Sequence, residues 1–253
     1  MGATDLHIHS VYSFDATTTV RAILKQAKDT GLNVIAVTDH DEIRGSIEAH
    51  HLAPQYGIES IIGAEITTQD GHLLALWIHD LPPKGMPLLD TLLHIGKQGG
   101  IAIAPHPFSN LPGSLTMEAV VNALTNPRAK AVLLGMETHN MSTQAFDSIA
   151  QKLAIYLPLA KLASSDSHVY WSIGAGRTEF PGETAADLRS ALEKNMTIPI
   201  PYEGDFSAQA ALSWVRRITL KKFGFASDTK SASQPINTQR MSQSFIGKIK
   251  KKK

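Results

Sequence analysis

The sequence predicts an α/β fold, and it favours a closed or nearly closed β/α barrel over an open, doubly wound sheet. The chain has 253 residues, of which 43% are hydrophobic, so it can bury a sizeable core. Seven short apolar runs alternate with segments of helical length between residues 4 and 195. Such alternation is typical of parallel strands joined by helices. The glycine-rich phosphate fingerprint of a Rossmann fold does not occur at these junctions.

The strand candidates are mostly continuous runs of valine, isoleucine, leucine and alanine, as expected for parallel strands covered on both faces. They are residues 4–9, 33–38, 60–66, 72–78, 101–106, 131–138 and 159–165. The third and fourth candidates have no helix-length segment between them. Residues 67–71 are therefore expected to form a hairpin or a tight crossover.

The segments between the strands carry the helical signals. Apolar residues at i, i+3, i+4 and i+7 predict two helices, one through Val20, Ile23, Leu24 and Ala27 and one through Met117, Val120, Val121 and Leu124. Ser142 and Thr184 are N-cap candidates. Asp187 follows Thr184 by three residues, as in a capping box.

Composition excludes several kinds of chemistry. The chain has no cysteine, so disulfides, thiolate catalysis and cysteine-ligated zinc are ruled out, while eleven histidines are available to bind metal. The longest apolar runs, such as residues 131–134, are far shorter than the ~20 residues that a membrane-spanning helix needs. Residues 1–5 lack the basic and apolar stretches of a signal peptide. We expect a cytoplasmic protein.

Charge divides the chain into unlike parts. Residues 213–253 carry a net charge of +10, and the remaining residues carry −9. We expect a hydrolase domain over residues 1–212, a basic amphipathic terminal helix over 213–225 and a disordered basic tail over 226–253. The tail is either a solvated run of charge or a weak binding segment for nucleic acid or an anionic surface.

Histidines and acids stand at the ends of most predicted strands. They are His7, His9, Asp39, His40, Glu65, His106, Asp166 and His168. The carboxyl ends of barrel strands meet on one face, so these side chains are expected to lie together. Any one such histidine is more often an ordinary hydrogen-bonded residue. So many buried charges would be costly without metal ions, and ligands without sulfur suit zinc, manganese or iron.

Five short motifs carry a resemblance to a known family. They are Asp5-Leu6-His7-Ile8-His9-Ser10, Thr38-Asp39-His40-Asp41, Gly63-Ala64-Glu65, Pro105-His106-Pro107 and Ser165-Asp166-Ser167-His168. Their order and spacing resemble the motifs of the PHP (polymerase and histidinol phosphatase) superfamily from residue 5 to about residue 180. The resemblance implies a distorted (β/α)7 barrel, two or three divalent metal ions and, usually, phosphoester hydrolysis.

The resemblance also implies a set of ligands. His7, His9, Glu65 and Asp166 would surround one ion. Glu65 would bridge to a second ion, which His106 and a histidine of the fourth strand would also bind. For that histidine, His72 at the strand start is preferred to His79 at its end.

A third ion would take Asp15, His40 and His168. Asp15 lies in Ser13-Phe14-Asp15, whereas the common family pattern has Ser-Asp-Gly one residue closer to the first motif, so a weak or absent third ion is the alternative. Four further residues are candidates for orienting the ligands, namely Asp39, Asp41, His139 and Asn140. Three other histidines fall in helical segments and are expected to be ordinary surface residues, namely His50, His51 and His94.

The predicted reaction is metal-assisted hydrolysis of a small phosphate ester, nucleotide or short oligonucleotide. Asp166 would orient the attacking water and accept its proton, Glu65 would bridge the ions, and Arg177 would clamp the phosphate or be an ordinary surface arginine. Only 41 positions separate Glu65 from His106, too few for the helical insertion of the family's nucleotidase and exonuclease branch. The alternatives are an amide or lactone hydrolase and a metal-binding module without catalysis.

Overall fold

The computed structural model describes residues 1–109 and 111–203, together with Val215 and Thr219. A mixed sheet curves into a nearly closed barrel with helices on its outside. The strands are β1 Gly2–Ile8, β2 Val34–Val37, β3 Glu59–Thr67, β4 His72–Leu76, β5 Ile101–Ala104, β6 Leu133–Asn140, β7 Ala160–Ser164, β8 Arg177–Phe180 and β9 Ile198–Ile200. The predicted helix over 213–225 and the predicted tail over 226–253 lie outside the described residues, apart from Val215 and Thr219.

The order of the strands is β7-β6-β5-β4-β3-β2-β1-β8-β9. The seven predicted strands all form, and β8 and β9 are additional. Most neighbours among β1 to β7 are parallel, but β4 runs antiparallel to both β3 and β5. The expected hairpin between the third and fourth strands is therefore confirmed, and it places the start of β4 beside the carboxyl ends of its neighbours.

Backbone hydrogen bonds bring β1 close to the segment that follows β7. The amide of His9 donates to Ser167 O at 2.8 Å, and the amide of Ser167 donates to His7 O at 3.2 Å. Next to this junction, Thr178 of β8 accepts a 2.9 Å hydrogen bond from the amide of Ala163 in β7. These hydrogen bonds draw the two sides of the sheet together, and the prediction of a distorted (β/α)7 barrel is confirmed.

Seven α-helices are present in the described part of the chain. They are α1 Val20–Asp29, α2 Arg44–Leu52, α3 Leu88–Lys97, α4 Met117–Thr125, α5 Pro127–Lys130, α6 Asp147–Ala154 and α7 Ala185–Glu193. The predicted apolar face of α1 is buried, and Thr184 forms the predicted capping box with Asp187. On α4, Val120 is buried as predicted, but Val121 is exposed, and Ala123 is buried in its place. Ser142 is not an N-cap, because it lies inside the short 3-10 helix Met141–Phe146, which Asn140 caps.

The inside of the barrel is filled with apolar side chains. Leu6, Leu74, Ile103 and Leu162 pack there with Phe180 of β8, and α7 contributes Leu188 and Leu192 to the same cluster. A second apolar layer lies between the strands and the outer helices. Because the interior is packed, a polar site has to lie at one end of the barrel.

Candidate metal centre

All nine residues predicted as metal ligands meet at the carboxyl end of the barrel. Four overlapping groups have ligand atoms within 4.8 Å of one another: His9, Asp15, His40 and His168; His7, His9 and Asp166; His7, Glu65 and His106; and His40, Glu65 and His72. His72 joins them because β4 is antiparallel and begins at this end. His79 lies beyond the other end of β4, roughly 20 Å away along the strand direction at about 3.3 Å per residue.

Glu65 is the most connected residue of the centre. It is fully buried on β3, and both of its carboxylate oxygens face imidazole nitrogens. Oε2 lies 3.1 Å from His40 Nδ1 and 3.3 Å from His7 Nε2, whereas Oε1 lies 2.9 Å from His72 Nδ1 and 3.3 Å from His106 Nε2. A carboxylate with a separate set of nitrogens at each oxygen suits a bridge between two ions.

The four residues predicted to surround the first ion have the spacing of a shared ion. His7 Nε2 lies 3.3 Å from Glu65 Oε2 and 3.4 Å from Asp166 Oδ1, and His9 Nε2 lies 3.4 Å and 3.3 Å from the same two oxygens. Zinc binds such atoms at about 2.1 Å, so two ligands of a tetrahedral ion are about 3.4 Å apart. The four distances therefore match edges of the coordination shell of one ion.

His9 supplies further evidence that the centre fits metal. Both of its ring nitrogens are buried, and neither makes a well-aligned hydrogen bond, an arrangement that is costly unless another group satisfies them. Burial, and next the charge of His168, lowers the pKa of His9 to about 4. The imidazole is therefore neutral at pH 7 and presents the lone pair that a metal ligand needs.

Asp15 joins His40 and His168, the other predicted ligands of the third ion, in spite of its shifted position in the sequence. Its Oδ2 lies 3.2 Å from His40 Nε2 and 3.1 Å from His168 Nε2, and its Oδ1 accepts a 2.5 Å hydrogen bond from the Ser13 hydroxyl. The loop between β1 and α1 thus accommodates the extra residue and still delivers a carboxylate to the two histidines.

Two of the nine residues have backbone conformations that L-residues rarely adopt. The φ angle is 29° at His106 and 49° at Asp166, and both residues lie just after the end of a strand. Positive φ costs free energy at residues other than glycine, and it persists where the surroundings impose it, often at functional sites. At these two strand ends it turns the side chains inward.

Gly113 approaches His72 closely and helps to hold it in place. The His72 amide donates to Gly113 O at 2.7 Å, and a Cβ at Gly113 would stand 2.6 Å from the His72 ring. Gly113 has a φ of 85°. The loop after β5 can therefore cover the imidazole only with glycine at this position.

The sequence analysis missed Glu137, which is fully buried on β6. Its Oε1 lies 3.0 Å from His7 Nδ1, and its Oε2 accepts hydrogen bonds of 2.7 Å from the His106 amide and from Asn140 Nδ2. A carboxylate behind a ligating histidine orients the ring and selects its tautomer. The signal in the sequence was an acid inside an otherwise apolar strand, two residues before His139.

The other candidates for orienting the ligands divide into two kinds. Asn140 does reach the centre, because its Nδ2 lies 3.4 Å from Asp166 Oδ2. The Asp39 carboxylate instead accepts two hydrogen bonds from Ser10, and Asp41 accepts two from Thr67. These two acids hold the loops of the centre in place and do not bond to an imidazole.

Residues outside the centre include one predicted catalytic residue. Arg177 begins β8, and its Nε is buried without a hydrogen-bond partner. Among the described residues, no hydrogen bond or ion pair joins it to the nine, so its role as a phosphate clamp stays a prediction. His139 bonds to Thr138 and faces a cleft of about 210 Å³ beside Asn140 and Asp147.

Comparison with protein families identifies the motifs. A family model described as PHP domain matches residues 5–156, and a second, described as PHP-associated, matches residues 148–197. An uncharacterized protein of Methanocaldococcus jannaschii, MJ1587, is 34% identical over 177 residues, which cover 66% of this chain and 97% of that protein.

Two further proteins are similar over most of this chain. A 5'-3' exoribonuclease of Haemophilus influenzae is 29% identical over 194 residues, covering 75% of this chain and 63% of that enzyme. A two-domain Bacteroides vulgatus protein containing a predicted PHP-like metal-dependent phosphoesterase superposes with a TM-score of 0.63 at 21% identity, covering 79% of this chain and 65% of that one. This chain spans less than two thirds of either protein. Within residues 1–109 and 111–203, no helix is long and apolar enough to cross a membrane.

Proposed function

We propose, because this chain belongs to the PHP domain family, that it is a phosphoesterase dependent on two or three divalent ions. The observation that carries the proposal is the set of four distances of 3.3–3.4 Å among His7, His9, Glu65 and Asp166, which match the edges of a metal coordination shell. The proposed ligands are the nine residues predicted from the sequence. Their nitrogen and oxygen atoms suit zinc, manganese or iron.

Bound divalent ions would lower the pKa of a coordinated water and neutralise the phosphoryl oxygens. Asp166 is the residue proposed to orient that water. Before metal binds, burial opposes its ionisation, but the charge of His7 and the nearby ring of His9 outweigh burial and hold the pKa of Asp166 below its ordinary value. Once His7 is a neutral ligand, the charge of the ions would take over that role. The carboxylate is therefore charged and accepts a hydrogen bond from the water. Arg177 is proposed to bind the phosphate, and its buried Nε, which has no hydrogen-bond partner, supports that role.

The proposed substrate is a small phosphate ester, a nucleotide or a short oligonucleotide. The relative named as an exoribonuclease supports a substrate of the nucleotide kind. The test is a panel of phosphomonoesters, phosphodiesters and amides, assayed with added manganese. Hydrolysis of a phosphoester but not of an amide is expected, and turnover of amides alone would contradict the proposal.

Two histidines at opposite ends of β4 supply a matched pair of variants. His72→Gln removes a proposed ligand, so both metal content and hydrolysis should fall. His79→Gln removes a partly exposed histidine whose Nδ1 lies 3.0 Å from Asp80 Oδ2, and both quantities should stay at the wild-type level. The reverse pattern would show that the ligand on β4 is misassigned.

A further inference from the structure

Phe14 is a large apolar side chain exposed at the rim of the metal centre. It lies in the loop between β1 and α1, next to Asp15, and 72% of its surface is open to solvent. Phe14 stands between Ser13 and Asp15, in the segment where Asp15 is one residue farther from the first motif than in the common family pattern. An exposed phenylalanine by itself needs no explanation, but this one is held in a defined position.

One face of the Phe14 ring packs on the centre and the other is open. The ring lies over the imidazole of His40, with centroids 5.2 Å apart and planes inclined by 27°. His40 belongs to two of the four ligand groups. The Phe14 ring therefore lies directly against a proposed metal ligand, and its other face is open to a ligand.

The loop holds the phenyl ring from both sides. The Ser13 amide donates to Ser10 O at 2.9 Å, and the Ser13 hydroxyl donates to Asp15. Asp15 in turn pairs with His40 and His168. The backbone on each side of Phe14 is thus tied to the centre, so a ligand that stacks on the ring would not have to order the loop first.

We propose that Phe14 is a specificity-determining residue that stacks on the base of a nucleoside phosphate. This inference rests on the proposed function and names its substrate class. Each nucleobase offers a π-face, and stacking on an aromatic side chain tolerates any base. A base joined through one sugar to the phosphate at the ions would form the third layer of a stack with Phe14 and His40.

The inference is tested with two esters that differ only in the base, adenosine 5′-monophosphate and ribose 5-phosphate. Loss of a base stack weakens binding by roughly 5- to 150-fold. Phe14→Ala should raise KM for the nucleotide at least about fivefold, with little change in kcat, and should leave ribose 5-phosphate unaffected. Phe14→Trp should keep the preference, whereas Phe14→Leu, which still covers His40, should lose it.

Two controls separate stacking from a structural role. Tyr156, just beyond the far end of α6, is 73% exposed, so Tyr156→Ala removes an equally exposed ring away from the centre and should change nothing. The metal content of each Phe14 variant should equal that of the wild type. Equal losses with both esters, or a loss of metal, would overturn the inference and assign Phe14 to support of Asp15 and His40.

Calorimetric binding of the two esters distinguishes failure of the inference from failure of the proposed function. Tighter binding of the nucleotide that depends on Phe14, without hydrolysis of any phosphoester, would support the inference and contradict the proposed function. Hydrolysis of both esters with equal affinity would support the proposed function and overturn the inference.

Discussion

Glu137→Gln tests whether the buried acid behind His7 sets the affinity of the metal centre. The two carboxylate oxygens of Glu137 face three N–H groups, those of His7 Nδ1, the His106 amide and Asn140. Glutamine has nearly the same size but only one acceptor oxygen. Its NH2 group faces the fewest donors when it points at His7 Nδ1.

In that arrangement His7 either keeps a buried donor opposite another donor or moves its proton to Nε2. An unsatisfied buried donor costs about 1–3 kcal/mol of stability. A proton on Nε2 blocks the nitrogen that faces Glu65 and Asp166. Removing a group that orients a ligand typically lowers metal affinity 10- to 100-fold, which corresponds to about 1.4–2.7 kcal/mol.

The assay is a competition titration of manganese or zinc against a chelator of known affinity. Glu48→Gln is the matched control, because Glu48 is also a buried glutamate but accepts a 2.9 Å hydrogen bond from the Tyr12 hydroxyl, which an amide oxygen can replace. We expect the control to bind metal like the wild type. An affinity of Glu137→Gln within twofold of the wild type would refute the assigned role.

Three other predictions concern catalysis, stability and the carboxyl-terminal segment. Glu65→Gln should lower the rate by orders of magnitude while circular dichroism stays unchanged; near-normal turnover at full metal occupancy would exclude a bridging carboxylate. Phe180→Ala, inside the barrel, should lower the free energy of unfolding by about 3–5 kcal/mol in denaturant titrations, and a loss below about 1 kcal/mol would mean that β8 does not seal the core. Deleting residues 226–253 should leave hydrolysis of a small phosphoester intact. If that segment binds nucleic acid, deletion should also flatten the salt dependence of oligonucleotide binding. The slope of the logarithm of the binding constant against the logarithm of the salt concentration should fall in magnitude by roughly 0.7–0.9 for each phosphate that the segment neutralises, and an unchanged slope would exclude such binding.

The strands that form the core of the barrel were predictable because burial on both faces requires continuous apolar runs. The additional strands β8 and β9 were not, since three of the four residues of Arg177–Phe180 are polar and Ile198–Ile200 has only three residues around a proline. β8 pairs with the edge that β1 presents, and β9 pairs with β8. Both are tertiary interactions that no local pattern encodes.

The ligands of the centre were predictable for a similar reason, because histidines and acids at strand ends converge in any barrel. Glu137 was missed because its function depends on the ring behind which it lies, not on its own position in a motif. Asp39 and Asp41 were predicted to orient imidazoles from their place beside His40 alone. Both residues are adjacent to His40 in the chain, but their carboxylates reach Ser10 and Thr67 instead, and the φ of 49° at Asp41 turns the chain away from an extended path.

Metal content measured together with activity tests the central claim most directly. The purified protein should contain two to three equivalents of transition metal by elemental analysis. Chelation should abolish phosphoester hydrolysis, and returning manganese or zinc should restore it. A preparation that is fully active without metal would contradict the account.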